Sequence, residues 1–288
     1  PDRQAHRRDH RGGGMTTVAP AGTSRPMPLA GTGIVRTSTL WRQAVVLARR
    51  SLIKTWRTPE ALIDVTLQPI IFLALFTYIF GGAIAGGSQD AYLQFLLPGL
   101  LGQTIAMASV SLGQNLNADI EKGVFDRFRS LPIGRSAPLV GAVMADLVRY
   151  VILFVVMISV GTLMGFDATS WAGVLASLAL SMGFALCFGW ISVYIGMIVR
   201  TPGAVQGIMF LLIFPLAFGS NVFVQTETLP GWLQAFVKVN PISHLVGAVR
   251  GLMVGGPVAS DLMWTLVWMA ILLVVFFPLA LRAYRRRA

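Results

Sequence analysis

Apolar residues run through this chain in long blocks rather than in alternation, and stretches free of ionised side chains mark them out. These windows are Val65–Gln89, Ala91–Ala118, Tyr150–Phe166, Ala168–Val199, Thr201–Thr226 and Leu262–Leu281. A helix needs about 20 mostly apolar residues to cross a bilayer. A Lys, Arg or Asp at its centre costs roughly 2.5–3.5 kcal/mol on insertion scales. The pattern therefore predicts an all-α polytopic membrane protein with six transmembrane helices. Only "RTPG" separates the fourth window from the fifth, and Arg200 and Pro202 predict a tight turn there. The third window is short, so its helix is expected to begin inside "ADLVRY". That helix would carry Asp146 and Arg149 near the membrane edge, spaced i, i+3 for pairing.

Two segments fit no simple hairpin. In "TLWRQAVVLARRSLIKTWRTPEAL", Leu40, Val45, Leu52 and Trp56 fall roughly on one helical side, with Arg42, Arg49, Arg50 and Lys54 elsewhere. It reads as an amphipathic helix on the inner leaflet, held by anionic lipid and its Trp residues. The alternative is a cytoplasmic extension of span one, against which Thr58-Pro59 predicts a break. Before the last window, "ETLPGWLQAFVKVNPISHLVGAVRGLMVGGPVASD" is too apolar for a solvated loop and is cut by Pro230, Pro241 and Pro257. Two short helices dipping into the outer leaflet, about Gly231–Val239 and Ile242–Val254, fit it.

Composition agrees with the pattern. Hydrophobic residues make up 55% of the 288 and charged residues 12%, and the mean hydropathy is +0.70; a soluble domain carries about 25% charged residues. The opening "PDRQAHRRDHRGGGM" reads as upstream sequence or a cloning remnant, with Met15 or Met27 as candidate starts. Residues 1–35, rich in Pro, Gly and Thr after Met15, are expected to be a disordered tail, and 36–288 a single transmembrane domain. The net charge is +11. With the N-terminus inside, sixteen Lys and Arg fall on the inner side and two, Lys238 and Arg250, on the outer. Both termini are therefore expected to be cytoplasmic. The same rule explains the basic residues without nucleic acid.

Enzyme chemistry finds little to stand on. The lone thiol, Cys187, lies in an apolar run and reads as a packing residue. His244 is the only histidine beyond the tail, with no neighbouring carboxylate or Cys in sequence, which makes a poor metal site. No phosphate-binding G-x-x-x-x-G-K-[ST] occurs. Asp64 sits at the inner edge of span one, and no acid sits at a span midpoint as proton-driven carriers usually require. Gly173, Ser177, Ser181, Ala185 and Gly189 form a small-residue ridge for close helix packing. Gln103, Thr104, Ser109, Ser111, Gln114 and Asn115 on span two would either line a path or bond neighbouring helices. Phe210, Phe214 and Phe218 form an aromatic stripe on span five, read as lipid-facing or packing rings with a substrate wall as the alternative.

Between spans two and three lies "NADIEKGVFDRFRSLPIGRSAPL", a dense charged island. On a helix, Val124, Phe128 and Leu131 share one face with Phe125 beside them, and Lys122, Asp126 and Arg129 stand opposite, until Pro132 stops it. Acids mixed among the bases gain nothing against an anionic leaflet, so a protein groove of mixed charge is the better partner. Here "EKGVFDRFRSLPIGRSAPLVGAVMADLV" resembles the cytoplasmic signature of type-2 ABC exporter permeases of the daunorubicin/doxorubicin-resistance subgroup. "LPGWLQAFVKVNPISHLVGAVRGLMVGG" is similar to the subgroup's outer segment. The resemblance runs from about Leu40 to the C-terminus.

That resemblance implies a coupling helix on which Glu121, Lys122, Gly123, Phe125, Asp126, Arg127, Phe128 and Arg129 dock into a separate ATP-binding subunit. Two such subunits would carry the ATP and Mg, with no cofactor in this chain, and a second copy or a related permease would complete the dimer. Gln103, Gln114, Asn115, Phe210, Phe214 and Phe218 are the candidate substrate path. The implied function is export of a hydrophobic drug, antibiotic or lipid-like product through a bacterial cell membrane. The alternatives are a lipid or polysaccharide exporter of the same architecture and, more remotely, an intramembrane lipid-modifying enzyme.

Overall fold

The computed structural model describes residues 59–81, 88–123 and 137–287. The expected tail, the amphipathic segment around Leu40–Trp56, and Phe125, Asp126, Arg127, Phe128 and Arg129 of the island lie outside the described residues. Every regular element among the described residues is helical. In chain order they are α1 (Pro59–Leu75, continued by a π turn Phe76–Phe80), α2 (Gln89–Ala108), α3 (Val110–Glu121), α4 (Ala137–Leu163) and α5 (Trp171–Ile198). Then come α6 (Pro202–Phe218), α7 (Gly231–Val237), α8 (Pro241–Val254) and α9 (Ala259–Arg287).

The turns follow local chemistry. Pro202 and Pro241 stand in the first turns of their helices, where a missing N–H costs nothing. Thr201 caps α6 by accepting from the Ala204 N–H at 3.3 Å, which makes "RTPG" the tight turn its residues predict. Asn240 caps α8 by accepting from the Ile242 N–H at 2.9 Å. Buried Ser109 separates α2 from α3, turning its hydroxyl onto the Ala106 carbonyl at 2.6 Å, a back-bond that bends helices.

Among the described residues, four stretches are long and apolar enough to cross a membrane: Gln89–Glu121, Asp146–Leu163, Trp171–Ile198 and Ala259–Tyr284. Six were expected. The first and fifth windows give shorter apolar helices, Leu67–Phe80 and Pro202–Phe218. α6 stops well before its window closes because the Asn240 side-chain amide, capping from another segment, donates to the Leu216 and Gly219 carbonyls at 2.6 and 3.3 Å. The third helix departs in the other direction. It begins at Ala137 rather than inside "ADLVRY", because the apolar run after Pro138 carries nothing that breaks a helix. Asp146 and Arg149 therefore lie well inside α4, and they do pair, at 2.8 Å.

α8 also differs from expectation. Its bounds are close to those predicted, and it packs into the bundle rather than standing apart from it. Ile242, Leu245, Val246, Val249 and Met253 are fully buried against α2, α5 and α9. Gly173 permits this approach, since a Cβ there would sit 1.9 Å from the Leu252 carbonyl oxygen. Arg250, an outer-side charge by sequence, turns inward. Its guanidinium donates to the Phe95 and Asn221 carbonyls at 3.1 and 2.9 Å and covers the Phe95 ring at 3.7 Å. His244 gains the carboxylate that its sequence neighbourhood lacks. Nδ1 faces Asp261 at 3.0 Å, Nε2 meets the Lys238 carbonyl at 3.0 Å, and the ring stacks on Trp264.

α5 is the hub, touching α2, α3, α4, α6, α8 and α9. Its small-residue ridge is buried at Ser177, Ser181, Ala185 and Gly189, and it extends two turns further than the sequence reading took it. Ser192 accepts from the Gly113 N–H at 3.1 Å and donates to the Val110 carbonyl at 2.7 Å. Asn117 then donates to the Gly196 and Val199 carbonyls, both at 2.8 Å, closing the end of α5. A Cβ on Gly113 would lie 2.1 Å from the Ser192 carbonyl oxygen, and one on Gly196 2.6 Å from the Gly113 carbonyl oxygen. Backbones thus touch directly, as small residues allow in membrane helices.

Gly113→Ala is expected to lower the melting temperature of the permease in detergent, corresponding to about 1–3 kcal/mol of overpacking. Gly207→Ala, where a Cβ meets nothing within 4 Å, should instead stabilise by roughly 0.5–1 kcal/mol through helix propensity. Equal shifts in both variants would contradict the crossing.

Candidate functional site

Beside the α3–α5 crossing, α1, α2, α3, α4 and α6 leave a cavity of about 560 Å³. Ligand sites commonly fall between about 300 and 1,000 Å³, so the space suits a drug-sized molecule. Of the six residues singled out as a path, Gln103, Gln114, Phe210, Phe214 and Phe218 line it. Asn115 does not; it is exposed on another side of α3. Thr104 and Ser111 line it too, whereas Ser109 is spent on the helix break.

The lining is graded along the helices. On α6, Gln206 precedes Phe210, Phe214 and Phe218, and the four climb one face over about 18 Å at 1.5 Å per residue. On α1, Gln68 precedes Phe72 and Phe76. The rings form a continuous chain: Phe210–Phe214 at 5.3 Å, Phe214–Phe218 at 4.5 Å, Phe218–Phe223 at 5.5 Å and Phe223–Phe76 at 4.7 Å between centroids. One end of the cavity is thus aromatic, and the end nearer the charged loop holds Gln68, Gln114, Gln206, Ser111 and Arg149. The stripe on α6 is therefore a cavity wall as well as a packing edge, its three rings 56%, 44% and 46% exposed.

Arg149 is the lining residue that the sequence reading missed, along with Gln68, Gln206, Phe72, Phe76 and Phe223. The sequence places it near a membrane edge, where the apolar stretch Asp146–Leu163 also begins, but gives no sign that it faces a cavity. Ser111 accepts from Arg149 Nη2 and donates to the Ala108 carbonyl at 2.7 Å. Gln103 is almost fully buried, and its Oε1 finds no hydrogen-bond partner among the described residues. A polar ligand could satisfy it.

The island's described residues stand at the end of α3. Glu121 and Lys122 are exposed, and Gly123 takes φ +64°, a left-handed conformation that ends the helix without Cβ strain. The α3 residues just before them, Gly113 and Asn117, are those fastened to α5. The cavity and the island are therefore joined through one stiff helix.

Apolar helices around an amphipathic, drug-sized cavity, with α3 leading from its wall to a charged segment, fit the membrane subunit of a transporter. The ABC-2 type transporter family matches residues 42–254. The daunorubicin resistance ABC transporter permease protein DrrB1 of Streptomyces coeruleorubidus is 40% identical over 277 residues, 96% of this chain and 94% of that protein. The probable doxorubicin resistance ABC transporter permease protein DrrC of Mycobacterium tuberculosis is 26% identical, over 92% of this chain and 97% of its own length. The putative transport permease ycf38 of Cyanophora paradoxa is 25% identical over 73% of each chain. The chain belongs to the ABC-2 type transporter family, as a permease of its drug-resistance subgroup.

Phe214→Ala is expected to weaken binding of a planar fluorescent dye by about threefold to thirtyfold, the effect of losing about 0.5–1.5 kcal/mol of ring stacking and some buried area. Asn115→Ala should leave binding unchanged. Dye titration of the purified permease in nanodiscs measures both.

Proposed function

We propose that this chain is the membrane subunit of an ATP-driven exporter that moves hydrophobic drugs, antibiotics or lipid-like products across a bacterial cell membrane. The observation that carries this reading is the graded cavity: Phe rings at one end and Gln, Ser and Arg at the other suit an amphiphile better than an ion or a sugar chain. The relatives named for daunorubicin and doxorubicin resistance point to the same class of cargo.

Six spans remain the working topology, with α1, α2–α3, α4, α5, α6 and α9 as the membrane rods. From Pro59 to Phe80, α1 with its π turn is about 33 Å long at 1.5 Å per residue, enough to cross. Gln89–Glu121 is about 50 Å long by the same rise, more than a bilayer's hydrocarbon needs. Its excess lies at α3, on the side of the charged island. The basic bias favours both termini and that island on the cytoplasmic side.

ATP and Mg belong to two partner subunits, and a second permease copy or a related one completes the assembly. In this chain, Glu121, Lys122, Gly123, Phe125, Asp126, Arg127, Phe128 and Arg129 are proposed to engage the ATPase groove. Phe125 or Phe128 anchors the contact, and Asp126, Arg127 and Arg129 set its register by charge. Displacement of this segment is delivered to α3, and through Gly113, Asn117 and Ser192 to α5. Because α3 also carries Ser111 and Gln114, the same displacement reshapes the polar end of the cavity.

Arg127→Glu and Phe128→Ala should each abolish dye export from cells while leaving membrane insertion intact, and should reduce co-purification with the ATPase. Unchanged export and unchanged co-purification in both variants would defeat the assignment.

A further inference from the structure

At the end of the cavity away from the charged island, the lining is Phe76, Leu100, Phe218 and Phe223, with no polar side chain among them. Phe223 stacks with Phe76 of α1 at 4.7 Å and with Phe218 at the end of α6 at 5.5 Å between centroids, so its ring bridges the two walls there. The two sides of this bridge are held differently. Phe223 belongs to the segment after α6, and the backbone of that segment is fastened to α2 and α8. Tyr92 donates its hydroxyl to the Phe223 carbonyl at 3.1 Å, and the Arg250 guanidinium donates to the Asn221 carbonyl at 2.9 Å. Val222 between them is fully buried. From α1, Phe76 meets Phe223 ring against ring, and it opens the π turn Phe76–Phe80. Ring contacts are individually weaker than hydrogen bonds from a charged donor, and π turns recur at functional sites.

From this arrangement we propose that Phe76, Phe218 and Phe223 form the outer gate of the cavity, closed in this structure, and that it opens when α1 draws Phe76 away from an anchored Phe223. The inference rests on the cavity being the cargo path and on the island lying on the cytoplasmic side. A closed set of rings holds back water and small ions without any charge, because an apolar constriction dewets. The same barrier suits an apolar cargo. A flat body leaving the cavity exchanges stacking on Phe214 and Phe218 for stacking on Phe223 and Phe76, whereas a hydrated solute finds no polar partner there. Arg250 and Tyr92 are positioning residues in this scheme: they bond to the backbone of the gate segment and so keep the Phe223 ring in place while its partner on α1 moves.

The test places one reporter thiol on the cavity wall, Thr104→Cys in a Cys187→Ser background. The full-length permease is expressed with its ATPase, and nucleotide-free right-side-out and inverted membrane vesicles are treated with 2-sulfonatoethyl methanethiosulfonate, a small impermeant thiol reagent. With all rings intact, the reporter is expected to react about tenfold faster in inverted than in right-side-out vesicles. Phe223→Ala should raise the right-side-out rate by about tenfold, and Phe76→Ala should do the same from the other half of the contact. Phe223→Trp, which keeps a ring, and Phe210→Ala, which removes a wall ring away from the gate, should both leave that rate slow. A slow right-side-out rate in both Phe223→Ala and Phe76→Ala, with the inverted vesicles still reactive, would overturn the gate and leave the cavity standing. Equal acceleration by Phe210→Ala would show general loosening and would also overturn it. Fast reaction in right-side-out vesicles with the rings intact, and acceleration by Phe223→Ala only in inverted ones, would overturn the topology and keep the ring closure at the opposite face. Reaction from neither side in any variant would overturn the cavity as a path, and the gate with it.

Discussion

The close crossing of α3 and α5 is the constraint on which the rest of the molecule depends. Lipid tails are as apolar as leucine, so helices in a bilayer are not driven together by excluded water and must hold by packing and hydrogen bonds. Here Gly113 and Gly196 remove the side chains that would keep the backbones apart, and the hydrogen bonds of Ser192 and Asn117 fill the space so gained. Asn117 serves twice, taking two carbonyls that the end of α5 would otherwise leave open in a low-dielectric surrounding. The small-residue ridge of α5 continues the contact toward α8, where Gly173 and Ser177 receive the Leu252 and Val249 backbone.

Two consequences follow for function. α5 packs on buried α8 and on α9, and in the proposed mechanism these form a block that α3 moves as a unit. The cavity lies beside α3, where α1 and α6 bring aromatic rings and glutamines and α4 brings Arg149 and Leu153. In the proposed mechanism, a push on the charged segment is carried inward by α3 and acts on the cavity wall.

Much of this was legible in the sequence, and the gaps have physical causes. Charge-free windows located every long helix, because burying an ionised group in lipid is costly enough to punctuate the chain. They misplaced the start of α4, since Asp146 and Arg149 neutralise each other and the helix runs straight through them. The edge position given to Arg149 agrees with the apolar stretch Asp146–Leu163; what the windows did not show is that Arg149 lines the cavity. Gln103, Gln114 and the α6 phenylalanines stood out as polar residues or a periodic stripe in apolar surroundings. Gln68, Phe72 and Phe223 did not, because no local pattern tells which helices will meet. The His244–Asp261 pair joins residues on two helices separated by a glycine-rich turn, and the clamp role of Asn117 needs a partner helix some eighty residues away. The coupling residues beyond Gly123 were marked by a mixture of charges and by the family resemblance, and their assignment still comes from the sequence.

The central claim is that α3 and the end of α5 move as one body while the cavity changes shape. Pulsed electron–electron spin resonance tests it on the permease reconstituted with its ATPase, comparing nucleotide-free and vanadate-trapped states. Spin labels at Asn115 and Ile198 report across the crossing, and labels at Asn115 and Leu211 report across the cavity. The account predicts an unchanged, narrow distance distribution for the first pair and a shifted one for the second. A shift in the first pair with none in the second would contradict it.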